Sequence, residues 1–479
     1  MKKGLLVLFV LLVACNKDPI EIRHRPEIPA PDQWSVSDVD NSAIRLEWWE
    51  AFGDQRLDEM VSIALESNYD LQAASARVIS AAMQAKIVGA DLWPMIGAGW
   101  LGAGQRQNFI GLPIPGAEGE ILSRTFKSSG VSLDVSWEAD VWGKLSARKQ
   151  AAVSDYEAAE ADLWAARLSL VAQTSKAWFA VLEGLQQVEL AERTVASYTT
   201  TAERIRGRYK SGLQSSLDLR LALSSLDGAE VLLQQRQDQL ARGIRQLEIL
   251  LGQYPGASIQ PADNLPDVPP MPPAGLPSEL VSRRPDLIAL EKRMWAAGAR
   301  WSEARKALYP SFSISGSIGT STSDFLEVLN GNFFVWNVAG NILQPVFQGG
   351  RLRAQIELRD AQSREAAAVW ANGVLRAFAE VETALAAESF LAKQEADLAS
   401  ALRQSAASWE LAEDRYNIGL EGFITVLESQ RRSLEAESAL LNVRRERLDA
   451  RVDLHLALGG GFQSREKPDA DKDSEEETS

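Results

Sequence analysis

A chain of 479 residues, 46% hydrophobic and 24% charged, has the composition of an ordinary folded protein, and its formal net charge of −15 excludes a surface built to hold nucleic acid phosphates. One Cys and two His (Cys15, His24 and His455) cannot make up a Cys/His zinc site. No nucleophile–base pair or metal-ligand cluster is visible either, so neither an enzyme, a metal centre nor a cofactor is expected.

The N-terminus reads as an address. Met1-Lys2-Lys3 precedes a brief apolar run, Leu5 to Val13, too short to span a bilayer but of the length of a signal-peptide core. It closes on Leu12-Val13-Ala14-Cys15, which resembles the bacterial lipobox. Residues 1–14 are therefore expected to be a signal peptide, and Cys15 to carry acyl chains that anchor at about 0.8 kcal/mol per buried methylene. Asn16 follows, not the Asp that commonly retains such lipoproteins in the inner membrane, which favours the outer membrane. Residues 15–56 form the lipid-anchored N-terminal segment.

From Leu57 to Ala90 the Ala-rich text predicts one helix. After Trp93-Pro94 the period changes to two, with strands near 95–107 and 127–141. Val131, Leu133, Val135, Trp137 and Val141 oppose Ser132, Asp134, Ser136, Glu138 and Asp140. Gly143 to Lys210 contains no proline and predicts a helix about 100 Å long. Its apolar residues recur every seventh position in two seams: Tyr156, Leu163, Leu170 and Ala177, and Trp164, Val171, Trp178 and Leu185. Two adjacent seams imply coiled-coil contact with two neighbours, as in the wall of a cylinder. A return helix runs from the Gly212 turn to Leu251, and a Pro-rich linker occupies 255–277.

The plan then repeats. Asn68-Tyr69-Asp70-Leu71 and Trp93-Pro94 recur as Arg284-Pro285-Asp286-Leu287 and Tyr309-Pro310, both 216 residues on. Gly143-Lys144-Leu145, Arg208-Tyr209 with Gly212-Leu213, and Leu251-Gly252 recur 207 residues on as Gly350-Arg351-Leu352, Arg415-Tyr416 with Gly419-Leu420, and Leu458-Gly459. Residues 57–254 and 278–460 are thus two copies of one unit, each with a helix, two strands, a long helix and a return helix. In the second copy the strands fall near 311–322 and 332–346, with Phe312, Ile314, Gly316 and Ile318 set against Ser311, Ser313, Ser315 and Ser317. Residues 461–479 form an acidic tail whose composition predicts disorder.

An apolar strand face backed by small or acidic residues suits a membrane barrel, with lipid outside and water inside. Four strands cannot close around water, whereas three chains supply about twelve. The expected fold is mainly α with a membrane β-barrel: a long coiled-coil helical barrel, and four strands per chain in a twelve-stranded barrel shared by a homotrimer. Gly97-Ala98-Gly99-Trp100-Leu101-Gly102 matches the dinucleotide glycine pattern but follows a helix and lies in a strand, the reverse of the required context. The alternative is a non-channel coiled-coil structural lipoprotein of the periplasm. It accounts for anchor and heptads but leaves the alternating strands of both halves unexplained.

Trp48-Trp49 with Phe52, Leu280-Val281-Ser282-Arg283-Arg284-Pro285-Asp286, Leu343-Gln344-Pro345-Val346-Phe347 through Gly350-Arg351-Leu352, and Arg415-Tyr416-Asn417-Ile418-Gly419 together carry a resemblance. The chain resembles the outer-membrane factor (TolC-like) family, in its NodT-type lipoprotein branch serving RND exporters. The resemblance implies a passive conduit for small molecules such as drugs or metal ions, trimeric and set in the outer membrane. It also implies a periplasmic membrane-fusion adaptor that opens the tip and an inner-membrane RND-type pump. For the gate it implies a Tyr416–Asp218 hydrogen bond and an acidic ring at Glu428 that constricts the pore and attracts cations. Thr425 stands where some relatives have a further acid, and Glu421 where some have an Arg that ties the gate. The adaptor is expected against the turns at Gly212, Leu213, Ser216, Gly419 and Leu420.

Overall fold

The computed structural model describes residues 26–29, 31, 33–35, 46–109, 122–261, 264–273 and 275–461. The signal peptide, Cys15, much of the 15–56 segment and the tail beyond 461 lie outside the described residues.

Helix α1 (Gln55–Ser67) starts at Asp54, whose carboxylate accepts from the backbone N–H groups of Arg56 and Leu57. The single helix expected over 57–90 is interrupted at Asn68, which is extended (φ −67°, ψ 125°), and α2 (Tyr69–Ala90) follows. The cause is long-range. Asn68 Oδ1 accepts from Leu71 N at 3.0 Å, while its Nδ2 donates 3.0 Å to the carbonyl of Leu250, so one side chain caps two helix ends. Helices α3 (Lys144–Lys210) and α4 (Ser216–Leu250) complete the first copy, at 67 and 35 residues.

In the second copy α5 (Pro277–Arg283) breaks at Arg284 (φ −78°, ψ 122°) before α6 (Pro285–Lys306), where Pro285 disfavours a helical residue ahead of it. Arg284 Nη1 donates 3.2 Å to the carbonyl of Ala457, repeating the Asn68 device with a different residue. Helices α7 (Arg351–Asn417) and α8 (Phe423–Ala457) again measure 67 and 35 residues. The duplication therefore holds at both ends of every long helix.

The chain packs into two compact units, each drawn from both copies. One comprises Ile79–Ala158 and Glu291–Val369. It carries a four-stranded antiparallel sheet in the order β1 (Met95–Phe109), β2 (Leu122–Ala139), β3 (Ser311–Thr320), β4 (Phe334–Leu343). Strand β2 starts earlier than expected and ends at Ala139, leaving Val141 outside it. Leu133 lies opposite Ala98 and Ile318, and Ile318 opposite Trp336; Val135 lies opposite Ile96 and Gly316, and Gly316 opposite Val338. Residues opposite one another share a face, so one apolar stripe crosses all four strands. The other face carries Gly97, Asp134, Ser317 and Asn337 in one row, and Glu138, Ser313 and Asn341 in another. Near the strand ends Trp137 Nε1 donates to Leu92 O at 3.0 Å and Trp142 Nε1 to Pro310 O at 2.8 Å. Arg148 pairs with Glu303 at 2.7 Å and Lys292 with Glu157 at 2.8 Å, joining the helices of the two copies.

The other unit comprises Glu27–Val78, Ala159–Leu290 and the chain from Trp370 onward. Its core gathers Leu57, Val61 and Ala64 of α1, Val171, Trp178, Phe179 and Leu182 of α3, Leu247 of α4, and Leu448 and Val452 of α8, with Trp48 and Phe52. The expected seams are buried at Leu170, Val171 and Trp178, but Trp164 keeps 39% of its surface. Trp178 Nε1 donates 2.6 Å to Asp54, fixing the start of α1 against α3. His455 stacks on Trp48 with ring centres 4.8 Å apart. Burial, with Arg451 adding to it, lowers its pKa to about 4, so this histidine is a neutral core residue.

Candidate functional site

The α3–α4 and α7–α8 turns are built alike. Gly212 and Gly419 adopt left-handed φ values of 72° and 81°. Gly212 N donates to Tyr209 O at 3.0 Å and Leu213 N to Arg208 O at 2.9 Å; Gly419 N donates to Tyr416 O at 3.0 Å and Leu420 N to Arg415 O at 2.8 Å. This is the Schellman pattern, which favours glycine at the left-handed position. The apolar residue after that glycine commonly packs back on its own helix. Here it does not: Leu213 is 76% and Leu420 67% exposed, and Leu217, Ile418 and Ile424 beside them are also exposed.

Behind the turns lies a single small core of Ala202, Ile205, Ala222, Ala412, Tyr416, Phe423 and Val426, so the two turns are packed as one body. Ser215 opens α4: its hydroxyl accepts from Asp218 N at 3.1 Å, and Asp218 Oδ2 in turn accepts from Ser215 Oγ at 2.6 Å and Gln214 Nε2 at 2.8 Å. Asp218 is thereby turned onto its own helix start, and Ser216 is the first residue of that helix.

The Tyr416–Asp218 hydrogen bond implied by the resemblance is not formed within the chain. Tyr416 is buried, its ring beside Phe423 at 5.7 Å and under the guanidinium of Arg208 at 5.4 Å, and its hydroxyl has no hydrogen-bond partner. It lines a cavity of about 160 Å³ with Trp409, Phe423, Val426, Thr201 and the Arg204–Glu413 pair. Tyr416→Phe is therefore expected to change stability by less than about 1 kcal/mol, since it deletes an unsatisfied group. Tyr416→Ala is expected to cost about 3–5 kcal/mol by enlarging the cavity. Thermal unfolding of the two variants checks this: a Phe variant as weak as the Ala variant would restore a bonding role to the hydroxyl.

Glu421 and Glu428 are not free carboxylates. Glu421 accepts from Thr425 Oγ1 at 3.1 Å and lies 4.0 Å from Arg415 across the turn. Where the resemblance leads one to look for an arginine tie at 421, the charges stand reversed, with the arginine on α7. Glu428 accepts from Arg431 (Nη2 at 2.8 Å, Nε at 3.1 Å) and from Arg432 Nε at 2.8 Å. Hydrogen bonds from Arg431 and then Arg432 hold its pKa below the usual carboxylate range, so it is ionised but paired. Within the chain, the carboxylate expected to contribute to an acidic ring is thus held by two arginines of its own helix. Arg431 and Arg432 were legible as i+3 and i+4 neighbours of Glu428; the Arg415–Glu421 approach depends on the turn. No group of acids, His or Cys among the described residues is placed to hold a metal ion, and no helix among them is long and apolar enough to cross a membrane.

A sheet with an exposed apolar face, joined to paired helices of this length, defines an outer-membrane channel subunit. The family model described as outer membrane efflux protein matches residues 60–253 and 276–460, and the chain belongs to that family. It is 31% identical to the pyoverdine export outer membrane protein OpmQ of Pseudomonas aeruginosa over 97% of this chain and 98% of that one. It is 32% identical to the outer membrane protein OprJ of the same organism, over 95% of each chain. A crystal structure of a membrane protein from Pseudomonas aeruginosa superposes with a TM-score of 0.83 at 30% identity, covering 93% of this chain and all of that one. The chain is thus an outer-membrane efflux channel component, not an enzyme.

Proposed function

We propose that three copies of this chain close one barrel of about twelve strands and one helical duct, through which small molecules leave the cell without chemistry on the way. The observation that carries this reading is the open sheet. β1 and β4 are its two edges, and the apolar face is exposed at Ile96, Trp100, Trp336, Val338 and Ile342. Unpaired strand edges are not tolerated in hydrocarbon, so closure by other copies is the physical solution.

Cys15 anchors each copy by its acyl chains, as the lipobox resemblance implies. The exposed apolar residues at the turns, Leu213 and Leu420 with Gly212, Ser216 and Gly419 shaping them, support a docking rim for a periplasmic membrane-fusion adaptor. An RND-type pump in the inner membrane supplies the driving force. Opening is assigned to the turn region, where Asp218 holds the start of α4, Tyr416 holds the shared core, and Glu421, Thr425 and Glu428 lie on or beside the first turns of α8.

Electron microscopy of the detergent-extracted full chain tests the proposal. Three-fold particles with a lumen and a helical stem about 100 Å long are expected from the helix rise. A slender particle without a lumen would support the structural-lipoprotein reading instead.

A further inference from the structure

Four charged residues sit at i, i+3, i+4 and i+7 on α8: Glu428, Arg431, Arg432 and Glu435. The opposite side of the helix is buried through Phe423, Val426, Gln430 and Ser433. The four are connected. Arg431 holds Glu428 through two nitrogens and reaches Glu435 Oε1 at 2.5 Å, while Arg432 adds its Nε to Glu428. In the first copy the matching positions, 207 residues earlier, are Leu221, Ser224, Ser225 and Gly228. None is charged, although α4 and α8 have the same length. The helix therefore forms without this lattice, and the lattice is peculiar to the second copy.

A row of lone carboxylates in a narrow passage concentrates cations, because low-dielectric walls focus the field. A carboxylate with guanidinium nitrogens about 3 Å away leaves mainly a dipole, whose field decays faster than that of a single charge and is screened within about 8 Å at physiological salt. Two arginines and two glutamates cancel in sign.

We propose that Arg431 and Arg432 are the charge-selectivity determinants of this channel: they neutralise Glu428, so the narrow end does not favour cations and passes anionic and zwitterionic cargo as readily. The proposal rests on the channel reading above and on the turn region being its narrow end. Exposed pairs of this kind add little stability, so the arginines can be removed without unfolding the helix.

The test is the reversal potential of the purified full-length protein in planar bilayers across a potassium chloride gradient. The wild type is expected to pass potassium and chloride with permeabilities within a few-fold of each other. Arg431→Ser with Arg432→Ser, which installs the residues of the first copy, is expected to raise the potassium preference about tenfold or more by exposing Glu428. Adding Glu428→Gln is expected to abolish that gain. Gel filtration and helix content confirm assembly of each variant, and Arg431→Gln with Arg432→Gln provides a second charge-neutral pair with the same expected shift. Currents whose reversal potential is the same with and without the arginines would overturn the proposal and leave the channel reading standing. Assembled particles without a lumen would overturn both.

Discussion

Gly252→Ala is expected to destabilise the protein by about 3 kcal/mol or more and to reduce sharply the folded protein recovered from membranes. Gly252 ends α4 with φ at 68°, where an L side chain costs about 1–2 kcal/mol. A Cβ there would also lie 2.4 Å from the carbonyl oxygen of Ser67, the last residue of α1. Relieving that overlap means moving backbone, at a further cost of about 1–3 kcal/mol. The contact lies at the junction where Asn68 caps the Leu250 carbonyl, so the displacement also removes a cap. Gly212 provides the control, because its φ of 72° is similar but nothing lies within 4 Å of a Cβ built on it. Gly212→Asn is expected to be nearly neutral, since Asn tolerates the left-handed region, whereas Gly252→Asn is expected to be as damaging as Ala. Thermal melts of the three detergent-solubilised variants and the wild type decide it. If both Asn variants were tolerated, backbone conformation and not the close approach would be the constraint at 252.

The second copy repeats this junction: Gly459 approaches Arg283 O, with 3.2 Å to a built Cβ, and Arg284 takes the role of Asn68. The sequence announced the repetition, because Leu251-Gly252 and Leu458-Gly459 stand at the common offset. It did not announce the helix break at Asn68, since nothing within the Ala-rich run distinguishes a capping Asn from a tolerated one. The deciding partner, the Leu250 carbonyl, lies 182 positions away in sequence. At Arg284 the break was legible, because proline follows it.

Strand faces were legible for a similar local reason. Period-two alternation fixes which residues share a side, and the register places Val135, Ile96 and Val338 together as the alternation requires. The extra length of β2, from Leu122 to Phe126, was not, because Ser123, Arg124 and Thr125 within it are polar and read as loop. At the turns the glycines were legible from their chemistry. The burial of Tyr416 was not: it depends on α3 and α8 closing over it, whereas the resemblance paired it with Asp218. The pairing of Glu428 was legible, because Arg431 and Arg432 lie within one helical turn of it.

Glu248→Gln is expected to cost about 2 kcal/mol at neutral pH, in the range for hydrogen bonds to a charged group, and this cost is expected to disappear in acid. Glu248 is fully buried near the end of α4, and its carboxylate receives Ala257 N at 2.8 Å, Ser258 N at 2.6 Å and Ser258 Oγ at 2.8 Å. These bonds hold the first residues of the Pro-rich linker, including Ala257, whose φ of 55° is unfavourable for a residue with a Cβ. Burial alone would raise the carboxyl pKa, but the Ser258, Ala257 and Ile259 donors outweigh it and hold the group below its ordinary value of 4.5. A depressed pKa means the unfolded chain takes up the proton first. The stabilisation is therefore complete above pH 4.5 and is lost as pH falls below that, through the folded-state value. Unfolding midpoints of wild type and Glu248→Gln should differ by a constant amount from about pH 7 to 5 and converge as pH falls below the folded-state value. A gap that persisted unchanged in acid would locate the effect in packing of the linker and not in the buried charge.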